Sequence, residues 1–476
     1  MAADETSGAC DANGHKLRIA GYNFRNERVF VSTYTELAHR RPMRSRFLLI
    51  SIVGGLLAVP AASAAEYAPG EVIVKYRDGT TAAERADLLR DSDTALDKRL
   101  AGDSRELQIR DADTVPEKLA ELRRDPDIEY AVPNFVARAS FRPNDPGYGR
   151  QWNLRDGFGI EMPGAWDSAR RLGAPGARGT TVAVLDTGVA YRRTRRFRRA
   201  PDLSGFTRGY DFVDGDRRPD DENGHGTHVA GTLAQTTNNR RGAAGVAYRA
   251  RIMPVRVLNS AGEGDAGTIA RALRWAARRR PDVINLSLEF SPEVRTSDVP
   301  DVVSALRYAH RRGVTVVAAG GNSGEDSQIS LPARAPGVIA VGATTNRGCQ
   351  AVYSNEGDDI DVVAPGGGED APLDDNPYDS AFCRPNQGGR WIYQQTFTSS
   401  VRRFGLPRGY EGTSMAAPHV SGIVALVRAT RRLGTRRPSP DAVEEHIERT
   451  ARDAGPPGFD PRYGHGLVSA ARALAP

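Results

Sequence analysis

Beyond Pro146 the sequence alternates short, mostly apolar runs with longer stretches of helical period, and this limits the fold more than any other feature. Thr181-Val-Ala-Val-Leu185, Val283-Ile-Asn-Leu286, Val314 to Val317 and Val338 to Val341 lack the strict polar alternation of a half-exposed strand. They predict parallel strands covered on both faces. Between them, Ile269, Ala272, Leu273 and Ala276 recur at i, i+3, i+4, i+7, and so do Val302, Ala305, Leu306 and Ala309. That spacing predicts helices with one buried face. Together the two periods predict an α/β fold, a doubly wound and mainly parallel sheet with its functional site at the carboxyl ends of the strands.

At 476 residues the chain is too long for that domain alone. From Met43, the basic Arg44 and Arg46 precede the apolar run Phe47 to Val59 and the small-residue site Ala62-Ser63-Ala64. This is the layout of a secretory signal cleaved before Ala65. The competing reading, a retained membrane anchor, is opposed by Gly54, Gly55 and Pro60. Residues 1–42 are polar and unpatterned, so a start at Met43 is the simpler reading and 43–64 the signal peptide. Residues 65–140 then form a small ferredoxin-like α+β module. Glu71 to Tyr76, Glu106 to Ile109 and Ile128 to Val136 read as strands, and Thr81 to Arg90 and Val115 to Arg124 as helices. Its place before residues 141–476 suggests a pro-region.

Three segments put a reactive side chain at a strand end or helix start. Asp186 ends Val-Ala-Val-Leu-Asp-Thr-Gly-Val, His225 opens Gly-His-Gly-Thr-His-Val-Ala-Gly-Thr, and Ser414 lies in Gly-Thr-Ser-Met-Ala-Ala-Pro-His. A serine hydroxyl needs a base, a neutral imidazole serves near neutral pH, and a carboxylate fixes the imidazole tautomer. Pro418 lacks the N–H that would bond the Ser414 carbonyl, which predicts an unusual first helical turn.

These segments resemble, in order, the signature motifs of the subtilisin family of serine proteases. The resemblance implies a catalytic triad of Asp186, His225 and Ser414, with Asn322 in Gly-Gly-Asn-Ser-Gly as the oxyanion donor. It further implies substrate contacts at Ser287, Leu288, Glu289, Gly320 and Gly321, and an inhibitory propeptide. His228 and His419 read as structural neighbours. Pro143-Asn144-Asp145-Pro146 is similar to the mature start in the thermitase-like branch, which puts self-cleavage near Ser140–Phe141.

The acidic run from Asp211 to Glu222 would repel itself without a hard cation, and calcium takes six to eight oxygen ligands. By resemblance, Asp211, Asp214, Asp216 and Asp220 form one calcium site, and Asp145, Asp202 and Asn239 a second. The alternative for the first is a solvated loop paired with Arg217 and Arg218. In a secreted chain Cys349 and Cys383 are a candidate disulfide, with two unpaired thiols as the alternative. The sequence departs from the family after Ser287-Leu288, where glycines are common and Glu289-Phe290 stands instead. A carboxylate there would attract lysine or arginine side chains of substrate and Phe290 would narrow a neighbouring subsite, unless Glu289 turns to solvent or pairs with an arginine.

The net charge of +6 comes mostly from arginine, with runs at 192–199, 278–280 and 436–437 that are scattered among 59 acidic residues and hold Phe197 as their single aromatic. They read as solvated surface, with no nucleic-acid partner. The expectation is therefore a secreted, monomeric endopeptidase, extracellular or else periplasmic, acting on protein or peptide substrates, with its own propeptide as intramolecular inhibitor and no membrane attachment after signal cleavage. The sedolisin group, whose base is glutamate and oxyanion residue aspartate, is opposed by His225 and Asn322. A non-catalytic secreted binding protein is opposed by the four intact residues.

Overall fold

The computed structural model describes residues 17–18, 67–137, 141–324, 327–372 and 380–475. Apart from residues 17–18, they form two compact units, 67–137 and 141 onward. The expected signal peptide at 43–64 lies outside the described residues.

The smaller unit is a four-stranded antiparallel sheet of β1 (Tyr67–Tyr76), β2 (Thr94–Arg99), β3 (Ser104–Ile109) and β4 (Ile128–Phe135) in the order β2-β3-β1-β4. Alternate residues Val72, Val74 and Tyr76 of β1 point into a core shared with Leu88 of helix α1 (Ala82–Asp91) and Leu119 and Leu122 of α2 (Val115–Leu122). Capping boxes Thr81–Glu84 and Thr114–Glu117 fix both helix starts. This is the expected ferredoxin-like order. One strand was not expected: β2 is an edge whose Asp97, Lys98 and Arg99 are exposed, so no apolar alternation marks it.

The larger unit is built on seven strands, β5 (Thr181–Asp186), β6 (Tyr210–Asp211), β7 (Arg251–Arg256), β8 (Val283–Leu286), β10 (Thr315–Ala319), β11 (Val338–Thr344) and β12 (Val362–Pro365). Their order is β12-β11-β10-β8-β5-β7-β6, and every neighbouring pair is parallel. The short strand β9 (Glu289–Phe290) lies just beyond β8 and pairs antiparallel with Leu17–Arg18. Pro254 hid β7 from the sequence reading, because proline removes a ladder donor. The short β6 pairs only with Val255 and Arg256, so Pro254 lies outside that ladder.

Helices α4 (His225–Ala234) and α7 (Thr413–Ala429) pack into one core, and α5 (Ala266–Arg278) and α6 (Pro300–Arg311) into the other. Both periodic stretches of the sequence are thus buried helix faces. The sheet order reverses beside β5, the topological switch point at which a crevice opens in folds of this class. Among the described residues no helix is long and apolar enough to cross a membrane.

Candidate active site

Asp186 is the last residue of β5 and His225 the first of α4. His225 Nδ1 and Asp186 Oδ1 are 2.8 Å apart, and both side chains are buried. His225 Nε2, the other ring nitrogen, has no hydrogen-bond partner among the described residues. Two glycines permit the approach. A Cβ on Gly226 would lie 2.1 Å from the Gly188 carbonyl, and Gly188 turns the chain at φ +100°. The helix start is held by Asp221, which the sequence reading missed. Its Oδ1 accepts Thr187 Oγ1 and the N–H groups of Asn223 and Gly224, and its Oδ2 accepts the N–H and hydroxyl of Thr227. One buried carboxylate thus satisfies N–H groups that the helix leaves free.

Ser414 is the second residue of α7 and is fully buried. Pro418 leaves the Ser414 carbonyl without its helical partner, and Ser287 Oγ donates to it instead at 2.8 Å. In return Ser414 Oγ donates to the Ser287 carbonyl at 3.3 Å. Asn285 Nδ2 donates to Ser287 Oγ, and Ser421 Oγ to Asn285 Oδ1, so β8 and α7 are tied by a buried polar chain.

Asn322 meets the same helix through Thr413. Its Oδ1 accepts the Thr413 N–H at 2.8 Å and its Nδ2 donates to Thr413 Oγ1 at 2.9 Å. The Gly321 N–H also reaches Thr413 Oγ1, and Gly321 has φ +121° with no room for a side chain against Asn355. Glu289 closes the group: its Oε2 accepts the Asn322 N–H at 2.9 Å and its Oε1 lies 3.5 Å from Asn322 Nδ2. Burial pushes the Glu289 carboxyl up to about 7. It is partly exposed, and among the described residues it pairs with no arginine. Phe290 does not line a subsite, because it is buried in the core with Leu288. Gly320 donates its N–H to the Val341 carbonyl.

The remaining histidines nearby are structural. His228 stacks on Tyr410 at 4.2 Å and its Nε2 meets the Ile392 carbonyl, and burial lowers it to about 3. His419 lies between the Met415 carbonyl and Asn153, and burial lowers it to about 4.

The two expected calcium groups differ. In the first, Arg256 Nη1 lies 2.9 Å from Asp211 and 2.6 Å from Asp214, while Arg192 pairs with Asp220. Asp216 accepts the Arg218 N–H. These four carboxylates therefore do not converge on one point. The positive charge that the spacing calls for comes chiefly from Arg256 and Arg192, and of the two expected arginines Arg218 lies 3.9 Å from Asp216. In the second group Asp145 and Asp202 are buried and have no lysine or arginine partner among the described residues. Asp145 accepts the N–H groups of Asn238 and Asn239, and Asp202 accepts Asn239 Nδ2 and Gln235 Nε2. Burial first, and then the charge of Asp145, push Asp202 up to about 6. Cys349 and Cys383 are joined as a disulfide, with Cα atoms 5.8 Å apart.

A third carboxylate group was not foreseen. Asp361, next to β12, faces Glu444 and Glu448 on α8 (Pro440–Thr450), all within 4.8 Å. Burial, reinforced by the two glutamates, pushes Asp361 up to about 8, and Glu444 reaches about 7. The i, i+4 pair on a helix was its only sequence signal.

The sequence profile of the Subtilase family matches residues 177–466, and that of the Fervidolysin N-terminal prodomain matches residues 56–134. The chain is 35% identical to a "Thermophilic serine proteinase" of Bacillus sp. strain AK1, covering 84% of this chain and 86% of that one. It is 34% identical to "Thermitase" of Thermoactinomyces vulgaris, covering 70% and 99%. A solved protease structure from Pseudoalteromonas arctica superposes with TM-score 0.55 at 32% identity, over 70% of this chain and 98% of that one. All three matched regions of the sequence reading, Asp186, His225 and Ser414, fall within the first profile, and the chain belongs to the subtilase family as a serine endopeptidase with an N-terminal prodomain.

Proposed function

We propose that Ser414 is the nucleophile, His225 the general base and acid, and Asp186 the carboxylate that holds the imidazole. The observation that carries the reading is the Asp186–His225 contact at the switch point of the sheet, with His225 Nε2 left unpaired for a proton. His225 takes the Ser414 hydroxyl proton as Oγ attacks the peptide carbonyl, then delivers it to the leaving amine. Water hydrolyses the acyl-enzyme by the same shuttle in reverse. Asn322 Nδ2 and the Ser414 N–H stabilise the oxyanion at the start of α7, where unpaired N–H groups favour negative charge. Peptide substrate lies along Ser287 to Glu289 and Gly320–Gly321.

In this reading residues 43–64 export the chain, residues 65–140 inhibit it until self-cleavage, and residues 141–476 act outside the cell as a monomer. One structural calcium ion binds at Asp145, Asp202 and Asn239. The two carboxylates offer hard oxygen donors and buried negative charge that no side-chain cation balances among the described residues, and rotation of the Asn239 amide would add its oxygen.

A fluorophosphonate probe should label Ser414 alone, and Ser414→Ala should abolish both labelling and release of the pro-region. Asn322→Ala should lower kcat by about 10²–10³, the magnitude known for the corresponding donor of subtilisin itself. Autoprocessing by pure Ser414→Ala protein would overturn the assignment.

A further inference from the structure

Phe141 is the first described residue of the larger unit, and its backbone nitrogen is held in an unusual way. It lies 3.0 Å from Asp167 Oδ1 and 3.2 Å from Asp167 Oδ2. An amide has one hydrogen to divide between those oxygens, whereas an ammonium has three and a full charge. Asp167 lies on α3 (Met162–Arg171), is half-buried, and has no lysine, arginine or histidine partner among the described residues. The Phe141 side chain is fixed independently. Its ring meets Trp166 edge-on at 5.5 Å and stacks on Tyr248 at 6.0 Å, and the Arg170 guanidinium sits 5.1 Å from its centre. Trp166 is itself fully buried and anchored to the Val246 carbonyl.

We propose that, with cleavage at the expected Ser140–Phe141 bond, the α-ammonium group released on Phe141 docks on Asp167, making Asp167 the receptor for the mature N-terminus. The proposal rests on the self-processing read above. Hydrolysis breaks the carbonyl–nitrogen bond, hydroxyl from water goes to the departing carboxyl, and hydrogen goes to the Phe141 nitrogen. Near neutral pH that amine takes a further proton, because an α-amino group ordinarily titrates near 7.7–8.0. Once that nitrogen occupies the Asp167 position after cleavage, an ion pair replaces the neutral hydrogen bond seen in the uncut chain. Processing then strengthens the attachment of the arm that begins at Phe141.

The test separates docking from self-processing. An enterokinase site placed directly before Phe141 in the full Ser414→Ala chain creates the Phe141 terminus without the protein's own activity. Asp167→Asn, which keeps the shape and one acceptor oxygen, should lower the unfolding midpoint of the cut form by about 2 °C more than that of the uncut form. Equal losses in the two forms would overturn the docking. Intact mass of the wild-type product should begin at Phe141, and any other terminus would overturn the bond assignment. A wild-type chain that does not process itself would instead refute the proposed function, while the enterokinase comparison still decides the role of Asp167.

Discussion

Glu289 Oε2 accepts the backbone N–H of Asn322 at 2.9 Å, which puts a carboxylate with no cationic partner among the described residues beside the proposed oxyanion donor. Its pKa of about 7 means that the charge is present above neutral pH and absent below it.

If Glu289 borders the primary pocket, a basic side chain before the scissile bond would supply a cation to it. Preference for arginine over phenylalanine at that position should therefore rise as pH increases through 7. Glu289→Gln keeps an acceptor for the Asn322 N–H and removes the charge. In kcat/KM it should cut the arginine-to-phenylalanine ratio by roughly 10-fold or more, from a charge-assisted contact of about 1.5–3 kcal/mol. It should also abolish the pH dependence of that ratio. Peptides differing only at this residue, assayed at pH 6 and pH 9, measure both, and an unchanged ratio would remove Glu289 from specificity.

Chelation and charge removal should separate the two acidic groups. EDTA should lower the melting temperature of the wild type, because an ion bound only to the folded state adds about 2.7 kcal/mol at a hundredfold excess over Kd. Asp202→Asn should lose this response. Asp211→Asn should keep it and yet cost about 3–5 kcal/mol, since Arg256 stays buried without its full complement of negative charge. Calorimetry with and without calcium reads both outcomes.

Asp361 supplies a pH dependence of stability remote from the chemistry. Its folded pKa of about 8 exceeds the ordinary carboxyl value near 3.9, so the folded state binds the proton more tightly. The stabilisation is complete below about pH 4 and declines as pH rises through 8. Asp361→Asn can still accept the Ala340 N–H and carries no charge to bury. Its denaturation midpoint should exceed that of the wild type at pH 9, by at least about 1 kcal/mol in free energy, and match it at or below about pH 4. Urea titrations at the two values provide the comparison.

The parts of this site visible in the sequence are those specified within one short segment. Asp186, His225 and Ser414 each carry their own turn or helix start, and the flanking glycines mark where the backbone must close up. What escaped the sequence reading depends on partners that fold together from a distance. Glu289 and Asn322 are 33 residues apart, and Asp211 and Arg256 45. A run of aspartates announces that positive charge is needed without saying whether an ion or an arginine brings it. The fold shows the same division: α5 and α6 declare a buried face by their period, whereas β2 and β7 are strands by virtue of their neighbours, against the local preference of Asp97 and Pro254.

Arg256, set among Asp211, Asp214 and Glu222, differs from a metal ion in one respect that matters outside a buffered vessel. A captured ion is in exchange with its surroundings and is lost when they are dilute. A guanidinium on the same chain has an effective concentration that dilution cannot reduce. The loop from Asp211 to Glu222 therefore keeps this neutralising charge in water of any mineral content.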